Sequence, residues 1–146
     1  MRKVFLIVLG VLLVIFAAYF FVNSIAYAKG KLSKKIIAKE KIQAALKVGK
    51  AMFYSTKLGT DRLSCAKCHV YSVGKYIPKI GKRVKSLAGA AAAFPKFNTK
   101  THQIITLGEK ISMCIKGALK GKPLSRQELN ALTLYVTYLS NGYKIK

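Results

Sequence analysis

Ser64-Cys65-Ala66-Lys67-Cys68-His69 is the stretch on which the reading of this chain turns. Two cysteines separated by two residues and followed at once by histidine form the attachment signature of a c-type haem. The spacing has a chemical reason. On a short helical turn both thiols reach the two vinyl groups along one porphyrin edge, and the histidine that follows comes under the iron as proximal ligand. Two plainer readings fail on context. A structural zinc site needs four ligands, and the chain offers no second Cys-x-x-Cys and no histidine pair at zinc spacing. A thioredoxin-like dithiol needs a βαβ setting, for which there is no pattern here. One covalently attached haem c is therefore expected, with Cys65 and Cys68 as thioethers and His69 as an iron ligand.

The chain has 146 residues, enough for one small domain and an N-terminal segment. Its 27 Lys and Arg face only Glu40, Asp61, Glu109 and Glu128, a formal net charge of +23. Such an imbalance points to an acidic partner protein or an anionic surface. Nucleic acid is excluded on pattern, because the lysines run along the whole chain and no DNA- or RNA-binding motif accompanies them. Docking to an acidic redox protein suits a haem protein better, since charge steering speeds transient encounters.

Residues 4–22, VFLIVLGVLLVIFAAYFFV, carry no charge and follow Arg2 and Lys3. As a helix they extend about 28 Å at 1.5 Å per residue, close to the thickness of a hydrocarbon core. Ala26-Tyr27-Ala28 has the form of a signal-peptidase site, so cleavage after Ala28 competes with an uncleaved anchor. The apolar run exceeds the roughly 7–15 residues of a signal core, which favours the anchor. The lysines that follow (Lys29, Lys31, Lys34, Lys35, Lys39 and Lys41) read as cytoplasmic by the positive-inside rule. Haem attachment at Cys-x-x-Cys-His takes place on the outer side of the cytoplasmic membrane, and the haem motif decides the orientation. The expected organisation is residues 1–28 as anchor or signal, 29–43 as a basic helical linker, and 44–146 as a monohaem domain in the periplasm.

Periodicity predicts helices and little else. Residues 31–50 lack proline and are rich in helix formers, and Gly49 would admit close packing of another helix. Thr106 with Glu109 and Ser125 with Glu128 are capping boxes, opening helices to about Leu119 and Ser140. Between them lie a basic stretch punctuated by Gly74, Pro78, Gly81 and Gly89, with Tyr71, Tyr76 and Ile77 as haem-lining candidates, and a polar turn at 98–102. The expected fold class is all-α, a cytochrome c-like helical domain.

The second axial position is open to Met113, Cys114, His102 or a lysine. On the helix after Thr106, the residues Leu107, Ile111, Ile115 and Ala118 share one face, Cys114 lies at its edge, and Met113 points nearly opposite. Helical phase favours Cys114, and so does cysteine arithmetic. Cys65 and Cys68 are consumed by haem, which leaves Cys114 without a disulfide partner. A small buried core cysteine is the competing reading at this position. His102 sits in a polar turn, the setting of an exposed histidine.

Four segments, LSCAKCH (63–69), LAGAAAAFPKFNTKTHQIITLGEKISMC (87–114), KGKPL (120–124) and ELNALTLYVTYLSNG (128–142), resemble the haem domain shared by the A subunit of the Sox thiosulfate-oxidising complex and the dihaem thiosulfate dehydrogenases. The resemblance covers residues 63–145. It implies that Cys114 is the distal ligand opposite His69, and that the potential is low because a thiolate stabilises ferric iron. Those enzymes carry two cytochrome domains, whereas one haem motif occurs here. The expectation is thus an electron carrier serving sulfur-compound oxidation; the competing expectation is a haem subunit of a thiosulfate-oxidising complex, with Lys82, Arg83 and Lys85 attracting the anion.

Overall fold

The computed structural model describes the backbone of residues 2–142, and the side chains of Phe16, Tyr19, Phe20, Phe21 and residues 32–142. Contacts divide the chain into two units, Met1–Lys41 and Ile42–Lys146. Helix α1 is continuous from Arg2 to Tyr54. The expected membrane span at 4–22 falls largely on side chains outside the described residues. Among the described residues, no helix is long and apolar enough to cross a membrane.

In the second unit, the last turns of α1 bury Leu46, Gly49 and Phe53 and leave Lys47, Val48 and Ala51 exposed. That is one stripe at helical spacing. It lies against α4 (Arg126–Ser140), which buries Ala131, Leu132, Tyr135 and Val136. Gly49 is needed at the crossing. A Cβ there would strike the Ala131 carbonyl oxygen and the Tyr135 side chain, so only glycine lets the two backbones come this close. Phe53 and Tyr135 meet edge to face with centroids 5.3 Å apart, a favoured aromatic geometry. Helix α3 (Leu107–Ala118) completes the layer through Ile115 and Leu119.

Both capping boxes form as the sequence predicts. Thr106 Oγ1 accepts from Glu109 N–H, and Ser125 Oγ accepts from Glu128 N–H; each glutamate carboxylate returns the bond to the backbone N–H of its cap. These bonds satisfy donors that a helix start leaves without partners. The C-terminus of α3 closes through a left-handed Lys120 and a bond from Gly121 N–H to the Ile115 carbonyl.

The domain is mostly helical, as the sequence predicts, and among the described residues it also contains two small antiparallel sheets. β1 (Tyr76–Ile77) pairs with β2 (Lys82–Arg83), and β3 (Lys96–Asn98) pairs with β4 (Gln103–Ile105). Strands of two and three residues are shorter than the four or so needed for alternation to show. They exist because their turns bring the ends together, the first through left-handed Gly81 and the second through left-handed His102. The alanine run becomes a single 3₁₀ turn, Ala91–Ala93. It is tied to the end of α4, where the buried Ser140 accepts at Oγ from Ala91 N–H and at its carbonyl from Gly89 N–H.

Candidate functional site

Cys65–His69 forms its own short helix, α2. Ser64 is the N-cap, accepting from Lys67 N–H at 3.1 Å, while the buried Ala66 seats the turn on the core. Cys65, Cys68 and His69 then line one cavity, part of it open to solvent. The floor is apolar: Phe53 from α1, Leu132 and Val136 from α4, and Leu87, Ala90 and Phe94 from the loop pinned by Ser140.

Helix α3 supplies the opposite wall. Leu107, Lys110, Ile111, Cys114, Ile115 and Ala118 face the cavity, spaced three and four apart as one side of a helix requires. Cys114 therefore stands in the same cavity as Cys65, Cys68 and His69. Met113 does not. It lines a different pocket with Ser112, Lys116, Lys122 and Pro123. His102 lies at the tip of the β3–β4 turn, its ring 6.2 Å from that of Phe97, and it is absent from the cavity lining. Lys110 is the lysine among the lining residues.

The electrostatics agree with this arrangement. Burial pushes the Cys65 thiol up to about 11, and the nearby Cys114 adds to the shift. Cys68 moves in the same direction for the same reasons, with Lys67 opposing. Both effects require Cys114 within electrostatic reach of the pair. The imidazole of His69 is shifted down by burial, partly offset by the Lys85 carbonyl, which favours the neutral form that binds iron. Its Nδ1–H donates to the Lys85 carbonyl oxygen at 3.2 Å. With Nδ1 engaged, the ring is held in one orientation and Nε2 is left as the metal-binding nitrogen, the usual arrangement behind a histidine ligand.

These residues fit haem better than a bare ion. Among the described residues, no three His, Cys, Asp or Glu side chains converge on a metal-binding point. Cys65, Cys68, His69 and Cys114 instead line one largely apolar cavity, a setting that suits a flat apolar macrocycle.

Some features of the site were not visible in the sequence. Tyr71 and Tyr76, expected to line the haem, are 63% and 59% exposed and do not touch the cavity. Ile77 is half-buried elsewhere. Nor do Lys82, Arg83 or Lys85 present side chains to it. Lys110 does, and its signal was available: it lies one helical turn before Cys114, on the face that already pointed inward. The Lys85 carbonyl carried no signal, because a backbone acceptor can be found only when the fold brings it to His69.

Comparison with known proteins points one way. The family model described as the SoxA/TsdA cytochrome c domain matches residues 49–145. The L-cysteine S-thiosulfotransferase subunit SoxA of Pseudaminobacter salicylatoxidans is 33% identical over 100 residues, which is 67% of this chain and 33% of that protein. A chain in the crystal structure of SoxXA from P. pantotrophus superposes with a TM-score of 0.54 at 22% identity, covering 64% of this chain and 34% of that one. The last likeness concerns the fold. The chain spans about a third of the length of both relatives.

Proposed function

This chain belongs to the SoxA/TsdA cytochrome c family, and we propose that it carries single electrons in the oxidation of sulfur compounds. Its cofactor is haem c, covalently bound. In the proposed site, Cys65 and Cys68 would hold the haem through thioether bonds, and His69 and Cys114 would hold its iron. Bound haem supplies a one-electron ferric/ferrous couple. The chain's own residues tune and protect it. The Cys114 thiolate favours the ferric state and lowers the potential, the Lys85 carbonyl holds His69 in place, and Phe53, Leu132, Val136 and Phe94 exclude water.

The observation that carries this reading is the sorting of the candidate ligands. His69, Cys114 and one lysine, Lys110, share a cavity with the attachment cysteines, while Met113 and His102 lie outside it. The uncharged run at 4–22 supports a membrane anchor, and the haem-attachment motif supports an outward-facing domain in the periplasm. Mass spectrometry of the mature protein should find the N-terminus intact; a start at Lys29 would remove the anchor.

One observation favours a second reading, a haem subunit of a thiosulfate-oxidising complex. Lys110 places a cation in the cavity one turn from Cys114, and the curated relative is itself named a thiosulfotransferase subunit. Turnover separates the two. Given thiosulfate and a chemical electron acceptor, the purified haem-loaded protein should leave the acceptor oxidised. Sustained reduction, lost in Lys110→Ala, would establish the enzyme reading in place of the carrier.

A further inference from the structure

We propose that residues 67–85 form the docking face for an acidic one-electron redox protein, an inference that rests on the carrier reading above. The segment follows the proximal ligand and returns to it. Val70 is bonded to His69, and fifteen residues further along the Lys85 carbonyl accepts from His69 Nδ1–H.

The segment is ordered by its own bonds. Gly74 N–H donates to the Val84 carbonyl, Val84 N–H to the Lys75 carbonyl, and the Arg83 guanidinium to the Gly74 carbonyl at 2.6 Å. The buried Val84 anchors it to the domain, and an Asp61–Lys79 ion pair of 2.8 Å ties its outer turn to the loop before α2. What this loop shows to solvent is unusual. Val70, Tyr71, Val73 and Tyr76 are between 43% and 63% exposed within seven consecutive residues. Nothing in the domain's core uses them. An apolar, tyrosine-bearing centre is the composition of an interface core rather than of ordinary surface.

The charges of the segment name the partner's charge. Lys67, Lys75, Lys82, Arg83 and Lys85 are all exposed, and the stretch 67–85 contains no acidic residue. Among the described residues, the one ion pair formed there uses Lys79. Exposed cations interspersed along the segment with exposed apolar side chains are complementary to an acidic surface that carries apolar patches, steering encounter without holding the product complex. One electron passes to the partner's oxidised centre, with no proton or atom transferred.

Plastocyanin, a small acidic copper protein, serves as the probe with the full haem-loaded chain at low ionic strength. Amide shifts on titration should concentrate in residues 67–85. Lys75→Glu/Lys82→Glu should slow electron transfer at least tenfold, with an unchanged haem spectrum as the check on folding. The same charge change at Lys116→Glu/Lys122→Glu, on the pocket beside Met113, should slow it less than threefold. Tyr71→Ser/Tyr76→Ser should weaken transfer several-fold while keeping its dependence on salt. Equal losses from both lysine pairs, or amide shifts elsewhere, would overturn the docking face and leave the carrier reading intact. Absence of any transfer from wild type to plastocyanin would overturn both.

Discussion

Met113 and Cys114 are neighbours on α3, and they open onto different surfaces. Cys114 faces the apolar cavity that also holds Cys65, Cys68 and His69, whereas Met113 faces a basic pocket beside Lys116 and Lys122. One residue along a helix is a rotation of about 100°, enough to carry a side chain from one face to another. Sulfur type alone therefore says little about which residue meets the iron. Helical phase, fixed by the packing of Ile115 and Leu119 in the core, decides which of the two faces the cavity.

The sharpest way to break this contrast is to change the ligand without moving it. Cys114→Met places a neutral thioether where a thiolate is proposed. The midpoint potential should rise by a substantial fraction of the roughly 0.8 V that axial ligands span; spectroelectrochemistry of the two proteins measures it. Met113→Cys should leave the potential of the wild type in place.

The phase itself is set by packing, which gives the next largest effects. Leu132 is fully buried beneath the cavity, and Leu132→Ala should cost about 2–5 kcal/mol in chemical denaturation, the range for a large buried aliphatic side chain. Gly49→Ala drives a methyl into the Ala131 carbonyl and should cost about 1–3 kcal/mol as an overpacked site. Met113→Ala, at a residue 41% exposed, should stay within about 0.5 kcal/mol.

These comparisons also show which parts of the domain were legible from sequence. Local signals were read correctly. Cys65–His69, the Thr106/Glu109 and Ser125/Glu128 boxes, and the inward face of α3 are each contained within a few turns of chain. The two small sheets were not legible, because two or three residues cannot display a period. Tyr71 and Tyr76 were misplaced for a related reason. Their side chains are aromatic, and aromatic residues next to a haem motif invite burial, but the loop is folded outward by bonds from Gly74 and Val84 that no local pattern encodes. The tie between Ser140 and Ala91, which seats Leu87, Ala90 and Phe94 on the cavity, joins residues far apart in sequence and was equally hidden.

Smaller effects than those of the buried core belong to the caps. Ser125→Ala should cost about 1 kcal/mol, the usual value for a lost N-cap. The paired carboxylates add a pH dependence. Bonds from the Thr106 backbone and hydroxyl hold Glu109 below its ordinary range, and the Ser125 hydroxyl and backbone do the same for Glu128. A carboxylate whose folded pKa is depressed contributes stability above its unfolded value, near 4.3, and loses it as pH falls through the folded value. Glu109→Ala/Glu128→Ala should accordingly lower stability at neutral pH and flatten its decline below about pH 4.3. Acid titrations of wild type and variant, followed by circular dichroism, would show both.

Electron paramagnetic resonance of the ferric protein tests the central assignment most directly, because the low-spin signal reports the axial ligand pair. With His69 and Cys114 as that pair, Cys114→Ala should abolish the wild-type low-spin signal and Met113→Ala should leave it untouched. An unchanged low-spin spectrum in Cys114→Ala would contradict the account.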